Sequence, residues 1–245
     1  MPAPTLASRT ALVTGASRGI GKAIAIALAE AGADVAVNYR QRKDQAEATV
    51  AAIKQLGRKS AAFGADVSDA QAVAAMVTNI EKALGPIDIL VNNAGIALRR
   101  SLEEMTEAEF DRTIAVNLKS AFLCTQAVWP GMRARGWGRI VNISSGAARG
   151  AGGFGVHYNA SKAGMEGLTR GYAARLVKYG ITVNAVAPSL IDTEMMASQR
   201  AESAARIPLG RLGTGEEVAA AVVMVATNPY LTGQTVHVNG GLSFN

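Results

Sequence analysis

Tyr158 and Lys162 stand four residues apart in Tyr158-Asn159-Ala160-Ser161-Lys162-Ala163-Gly164, so on a helix both side chains leave the same face. That pairing has a chemical use. Adding hydride to a carbonyl leaves an alkoxide that needs a proton, and a tyrosine of pKa about 10 must move by about 3 units, worth about 4 kcal/mol, to be poised near neutrality. A neighbouring ammonium favours the phenolate, so Lys162 is expected to lower the Tyr158 pKa and to bond a nicotinamide ribose. Ser144-Ser145 ends a predicted strand, where a hydroxyl could hold the substrate oxygen beside Tyr158. His157 would leave the helix about 100° from Tyr158 and is read as lining or packing near the site.

A second constellation is Thr14-Gly15-Ala16-Ser17-Arg18-Gly19-Ile20-Gly21. Its glycines permit a tight turn and let backbone N–H groups approach a pyrophosphate, with a helix N-terminus facing that anion. Its place between a first strand and a first helix makes the motif credible for a dinucleotide. After the second strand the chain reads Val37-Asn38-Tyr39-Arg40-Gln41-Arg42, with no carboxylate to accept from an adenine ribose hydroxyl. Arg40 offers a planar fork to a 2′-phosphate and Arg18 can reach the same group, so the expected cofactor is NADP(H).

Elements in an α/β rhythm must position these groups. Strands are predicted at 10–14, 33–38, 60–65, 87–92, 139–144, 182–187 and 235–238, with helical stretches between them, such as Ile24, Ala27, Leu28 and Ala31 at helical spacing. The expected fold is a single-domain, Rossmann-type, doubly wound parallel sheet of seven strands with helices on both faces, spanning 1–245. Residues 189–213 are the exception. Their periodicity is weak and Pro208, Gly210 and Gly213 punctuate them, so they are read as a substrate-covering flap.

The chain's 245 residues, 49% hydrophobic, suit one sizeable core. Apolar runs are far shorter than the roughly 20 residues of a membrane span. The start has no basic flank or apolar core of signal-peptide length, and Cys124 is the single cysteine, so a reducing cytoplasm is expected, with Cys124 buried. The net charge of +6 is dispersed and aromatics make up only 5%, which argues against nucleic-acid binding. No metal is expected.

Thr14-Gly15-x-x-x-Gly19-x-Gly21, Asp66-Val67, Asn92-Asn93-Ala94-Gly95, Asn117, Ser145, Tyr158-x-x-x-Lys162 and Asn184-x-x-x-Pro188 follow one another in the order and spacing of a known family. Over essentially its whole length the chain resembles the short-chain dehydrogenases/reductases. The resemblance implies that Tyr158 donates the proton, Ser145 stabilises the carbonyl, and Lys162 tunes the tyrosine and grips ribose. Asn117 completes the tetrad by holding a helix irregularity and a water that links the lysine to solvent. It further implies cofactor contacts from Gly15, Ser17, Arg18, Gly19, Ile20 and Gly21; from Asn38, Tyr39 and Arg40; and from Asp66 and Val67 at the adenine. Asn92, Ala94 and Gly95 would stand beside the adenine ribose, while Pro188, Ile191 and Thr193 would approach the nicotinamide. Pro188-Ser189 departs from the family's usual Pro-Gly.

Within that family, Val37-Asn38-Tyr39, Asn92 to Ile96, Ile191 to Met195 and the ending Thr232 to Gly241 look most like 3-oxoacyl-[acyl-carrier-protein] reductases. This implies NADPH-dependent reduction of a 3-oxoacyl thioester in fatty acid biosynthesis. The alternative is an oxidoreductase of a small ketone, alcohol, sugar or steroid. An acidic carrier would dock through basic residues near the active-site mouth. The usual arginine positions fall at Gly136 and Tyr179, with Arg133, Arg135 and Lys178 close enough to substitute. A homotetramer built through paired helices and C-terminal strands is also implied.

Overall fold

The computed structural model describes residues 5–193 and 200–244. Seven strands, β1 (Thr10–Val13), β2 (Asp34–Tyr39), β3 (Ser60–Gly64), β4 (Ile87–Asn92), β5 (Gly138–Ile143), β6 (Ile181–Pro188) and β7 (Thr235–Val238), form one sheet in the order β3-β2-β1-β4-β5-β6-β7. Every neighbouring pair is parallel. The expected seven-stranded parallel sheet is therefore present, with strand ends within a residue of those read from the sequence.

Burial on both faces explains the strand sequences. Each residue of β4, β5 and β6 is buried, and their runs are rich in Ile and Val rather than alternating with polar residues. Alternation sorts these side chains between two cores. Ala11, Val13, Ile89, Val91, Val141 and Ile143 pack towards α1 (Gly19–Glu30), α2 (Lys43–Gln55) and α8 (Gly215–Thr227). Leu12, Leu90, Ile140 and Val183 pack towards α3 (Ala70–Leu84), α5 (Ser120–Arg135) and α6 (Val156–Leu176). Helices α3, α4 (Glu107–Ile114) and α8 begin where Asp69, Thr106 and Thr214 accept a backbone N–H, the two threonines in full capping boxes with Glu109 and Glu217.

Helix α4 (Glu107–Ile114) runs into α5 through a π-helical turn at Ala115–Lys119, so the two form one bent rod. The segment after β6 is more ordered than its weak periodicity suggests. Its ends are paired, with Ile191 bridging Gly213, Asp192 N donating to Gly213 O at 2.8 Å and Gly213 N donating to Leu190 O at 3.0 Å. Arg200–Ala205 forms a short helix, α7, tied by an Arg200–Asp192 ion pair of 2.6 Å. Residues 194–199 of the expected flap lie outside the described residues. Ser189, where the family has glycine, keeps a negative φ and donates its N–H to Val238 O at 3.0 Å, so no glycine is needed there.

No helix among the described residues is long and apolar enough to cross a membrane. Cys124 on α5 is buried, and that burial pushes its thiol up to about 12. Since the thiolate is the reactive form, a disulfide reagent such as DTNB at pH 8 is expected to leave the native protein unmodified and to titrate one thiol after unfolding. Rapid labelling of the folded protein would contradict this packing.

Candidate active site

Parallel strands place all their carboxyl ends on one edge, and the strand order reverses between β1 and β4. A crevice must open there. The loop from β1 to α1 crosses it. Gly15 takes φ +63°, and a Cβ on Gly21 would run into the Gly15 carbonyl and come within 2.5 Å of Asn93 Nδ2, so both positions require glycine. The loop is braced from beneath. Asn38 Oδ1 accepts from Gly15 N at 3.1 Å, Asn93 Nδ2 donates to Thr14 O at 2.8 Å and Gly15 O at 3.1 Å, and Thr14 Oγ1 accepts from Asn93 N and Ala94 N at 2.9 and 3.0 Å. The N–H groups of α1's first turn, at Gly19, Ile20 and Gly21, have no intrahelical acceptor and border the crevice.

The whole cleft holds about 1070 Å³. At one end Arg18, Tyr39, Arg40, Asp66 and Val67 line it. Arg40 Nε pairs with Asp66 Oδ2 at 3.0 Å. Asp66 Oδ1 accepts from Ser68 Oγ at 2.6 Å; this bond first, then the Ser68 N–H and Arg40, holds the carboxyl below its usual range. A glycine cradle that a single Cβ would fill, flanked by arginines, fits the pyrophosphate and an additional phosphate of a nicotinamide dinucleotide.

At the other end, Ser145 follows β5 and Tyr158 and Lys162 occupy the first turns of α6. Ser144 and Ser145 both border the cleft; Ser144 Oγ donates to Lys162 O at 3.1 Å, whereas Ser145 Oγ accepts from Ala147 N at 3.2 Å and lies close enough to Tyr158 to act on its phenol. Lys162 is buried, lies 5.8 Å from the centre of the Tyr158 ring and donates from Nζ to Ile143 O at 2.7 Å. The electrostatics run opposite to the sequence expectation. Burial raises the Tyr158 pKa above its ordinary value, the Ser145 bond opposing it, and burial brings Lys162 down to about 8. Desolvation, which disfavours the charged form of each group, is the largest influence on both.

Asn117 sits in the π turn, fully buried behind these groups rather than on the cleft wall. It accepts from Ile96 N at 2.7 Å and donates to Ile96 O at 2.9 Å and Ser161 Oγ at 3.2 Å, and Ser161 in turn donates to Tyr158 O at 2.8 Å. The rod carrying α4 and α5 is thereby tied both to the segment after β4 and to α6.

Of the expected cofactor residues, Gly15, Ser17, Ala94, Gly95, Pro188, Ile191 and Thr193 also line the cleft. Asn92 does not. It is the last residue of β4, shares the face of Leu90, and donates inside the protein to Asn142 Oδ1 at 2.8 Å and Thr125 Oγ1 at 3.3 Å. Asn93, the first residue past the strand, lines the crevice in its place. The end of the strand separates the two asparagines: Asn92 is its last residue, on the face of Leu90, and Asn93 lies beyond it. Asn38 reaches the cleft floor, but its amide is engaged by Gly15 N, Phe63 O and Ala65 O. His157 is completely buried with its ring beside Gly155, so it packs near the site without lining it. Arg133, Arg135 and Lys178, expected near the mouth, are at the opposite edge. They end helices that feed the amino ends of β5 and β6, where Arg135 bonds Asp88 and Ile87 O, and Arg133 and Lys178 stack on Tyr179.

A family model described as enoyl-(acyl carrier protein) reductase matches residues 15–243. The 3-oxoacyl-[acyl-carrier-protein] reductase FabG of Staphylococcus aureus is 45% identical over 243 residues, covering 96% of this chain and 98% of the relative. A solved structure from Sinorhizobium meliloti, provisionally described as a short-chain alcohol dehydrogenase, superposes with a TM-score of 0.92 at 37% identity, covering 98% of each chain. Another, from Agrobacterium tumefaciens and provisionally described as a gluconate dehydrogenase, gives 0.92 at 34% identity over 97% of each chain.

Truncating Asn117 would strand the N–H and C=O of Ile96 inside the protein. Asn117→Ala is therefore expected to lose about 2–4 kcal/mol and to lower Tm by roughly 5–12 °C in calorimetry. A Tm within about 2 °C of the parent protein would show that the brace is dispensable.

Proposed function

The chain belongs to the short-chain dehydrogenase/reductase family, oxidoreductases that use a nicotinamide cofactor, and from that premise we propose that it is an NADPH-dependent 3-oxoacyl-[acyl-carrier-protein] reductase. The observation that carries the reading is the placement of Ser145, Tyr158 and Lys162 in the same cleft as the glycine cradle, with Lys162 Nζ 5.8 Å from the centre of the Tyr158 ring. Two hydroxyls converging on one point suit a carbonyl oxygen that becomes an alkoxide. NADPH, when bound, supplies the hydride. Ser145 and Tyr158 hold the oxygen, Tyr158 delivers its proton as the alkoxide forms, and Lys162 stabilises the phenolate left behind. Burial that keeps the Tyr158 phenol protonated suits the donor in this direction. Lys162, with a pKa of about 8, is charged at neutral pH.

NADP(H) rather than NAD(H) is supported by Arg18 and Arg40 at the adenine end and by the lack of a carboxylate directly after β2; Asp66, which pairs with Arg40, lies beyond β3. Arg99, Arg149 and Arg206 line the substrate end and suit the phosphate of a carrier-bound arm. They equally suit a carboxylate, which favours a sugar acid as the second reading, in line with the relative described as a gluconate dehydrogenase. The 189–213 segment acts as the cover over this end of a single NADP(H)-binding domain. Exposed Phe122 on α5 and Tyr230 and Phe244 near the C-terminus support assembly into a homotetramer. A buried free thiol fits the cytoplasm.

Two measurements test the reading. NADPH oxidation is expected with an acetoacetyl thioester and absent with a crotonyl thioester, and Tyr158→Phe is expected to lower kcat by roughly 100-fold or more with NADPH binding intact. Turnover confined to sugar acids or simple ketones would remove the acyl reading, and an unchanged Tyr158→Phe rate would remove the mechanism. For the cofactor, Arg40→Asp is expected to shift the NADPH/NADH preference towards NADH by about tenfold or more. Equal use of both cofactors by the parent protein would overturn the NADP assignment.

A further inference from the structure

The loop that follows Ser145 is intrinsically loose. Gly146, Gly150, Gly152, Gly153 and Gly155 fall within ten residues, two of them at positive φ (Gly152 +64°, Gly155 +136°), and such a segment loses much conformational entropy when ordered. The turn at its start sets the direction of the Ser145 hydroxyl, because Ala147 N donates to Ser145 Oγ at 3.2 Å. Accepting that bond occupies a lone pair and leaves the serine proton to be given away towards the cleft.

One side chain grips this turn at two points. Asn159, next to Tyr158 on α6, donates from Nδ2 to Ala147 O at 2.8 Å and to Gly150 O at 2.6 Å. Both partners are carbonyls, so the amide's nitrogen faces them and both of its hydrogens are used. Ala147 is bonded on both sides, through its C=O to Asn159 and through its N–H to Ser145. The result is a chain of bonds running from Ser145 through Ala147 to Asn159, the residue next to Tyr158 on α6. The other anchors of the loop lie further out, at Arg149–Glu166 (3.0 Å) and Arg100 N–Phe154 O (2.9 Å).

We propose that Asn159 is a positioning residue for Ser145: by fixing the Ala147 peptide against the helix that carries Tyr158, it holds the two hydroxyls in register on the substrate oxygen. The proposal rests on the reading of Ser145 and Tyr158 as the groups that meet the carbonyl. It assigns no contact between Asn159 and substrate, and none with the nucleotide, whose cradle is on the other side of the crevice.

The test uses variants of nearly equal shape. Asn159→Asp keeps the volume but, ionised, cannot donate to either carbonyl, and Asn159→Ala removes the group; both are expected to lower kcat about tenfold with NADPH Kd changed less than about twofold. Asn159→Ser, which keeps one donor, should fall between them and the parent protein, and together with Asn159→Asp decides the matter if the alanine variant folds poorly. In a Ser145→Ala background, adding Asn159→Asp should change the remaining rate by less than about twofold, because a residue that works through Ser145 has nothing left to position. An Asn159→Asp enzyme with parental kcat, or losses that multiply in the double variant, would overturn the proposal. Ser145→Ala and Tyr158→Phe enzymes with full rates would instead defeat the catalytic reading beneath it.

Discussion

Everything at this site depends on one constraint: all seven strands run the same way, so all their carboxyl ends open on one edge. With β1 at the point where the chain's winding reverses, the connections leaving β1 and β4 diverge to opposite faces and cannot close over the gap between them. Polar groups at that gap lose their sheet partners, and the sequence supplies replacements. Thr14, Asn38 and Asn93 take up the peptide groups on both sides of the crevice. The nucleotide cradle is therefore a consequence of satisfied backbone as much as of glycine flexibility.

A second set of polar bonds joins the sheet to α6. Asn92 donates to Asn142, Asn142 Nδ2 donates to Thr169 Oγ1 at 2.9 Å, and Thr169 donates to Met165 O at 2.8 Å, all in the interior. Each such group, left unpaired, would cost about 1–3 kcal/mol. The network therefore specifies one position of α6 along the sheet more sharply than apolar packing could. Since Tyr158 and Lys162 lie on the same helix, this also fixes the distance between them and Ser145 at the end of β5. Asn117 does the equivalent for the bent α4–α5 rod, holding a π turn whose widened backbone presents the amide to Ile96 and Ser161.

The same enclosure sets the chemistry. Burial shifts both the Tyr158 phenol and the Lys162 ammonium towards their neutral forms.

Short runs rich in Ile, Val and Ala determined where the strands lie and where they end, because a residue's preference for a buried parallel sheet is written into its own type. The spacing of Tyr158 and Lys162 likewise determined that they share a helical face, since helix geometry is local. Tertiary structure decided what depends on neighbours distant in sequence. It placed Asn92 inside and Asn93 in the crevice, put Arg133 and Lys178 at the far edge from Tyr158, and ordered the ends of the 189–213 segment by pairing Ile191 with Gly213. It also reversed the expected shift of Tyr158. Proximity of an ammonium can be read from a four-residue spacing, whereas desolvation is the sum of everything packed around a group, and no local pattern in the chain records it.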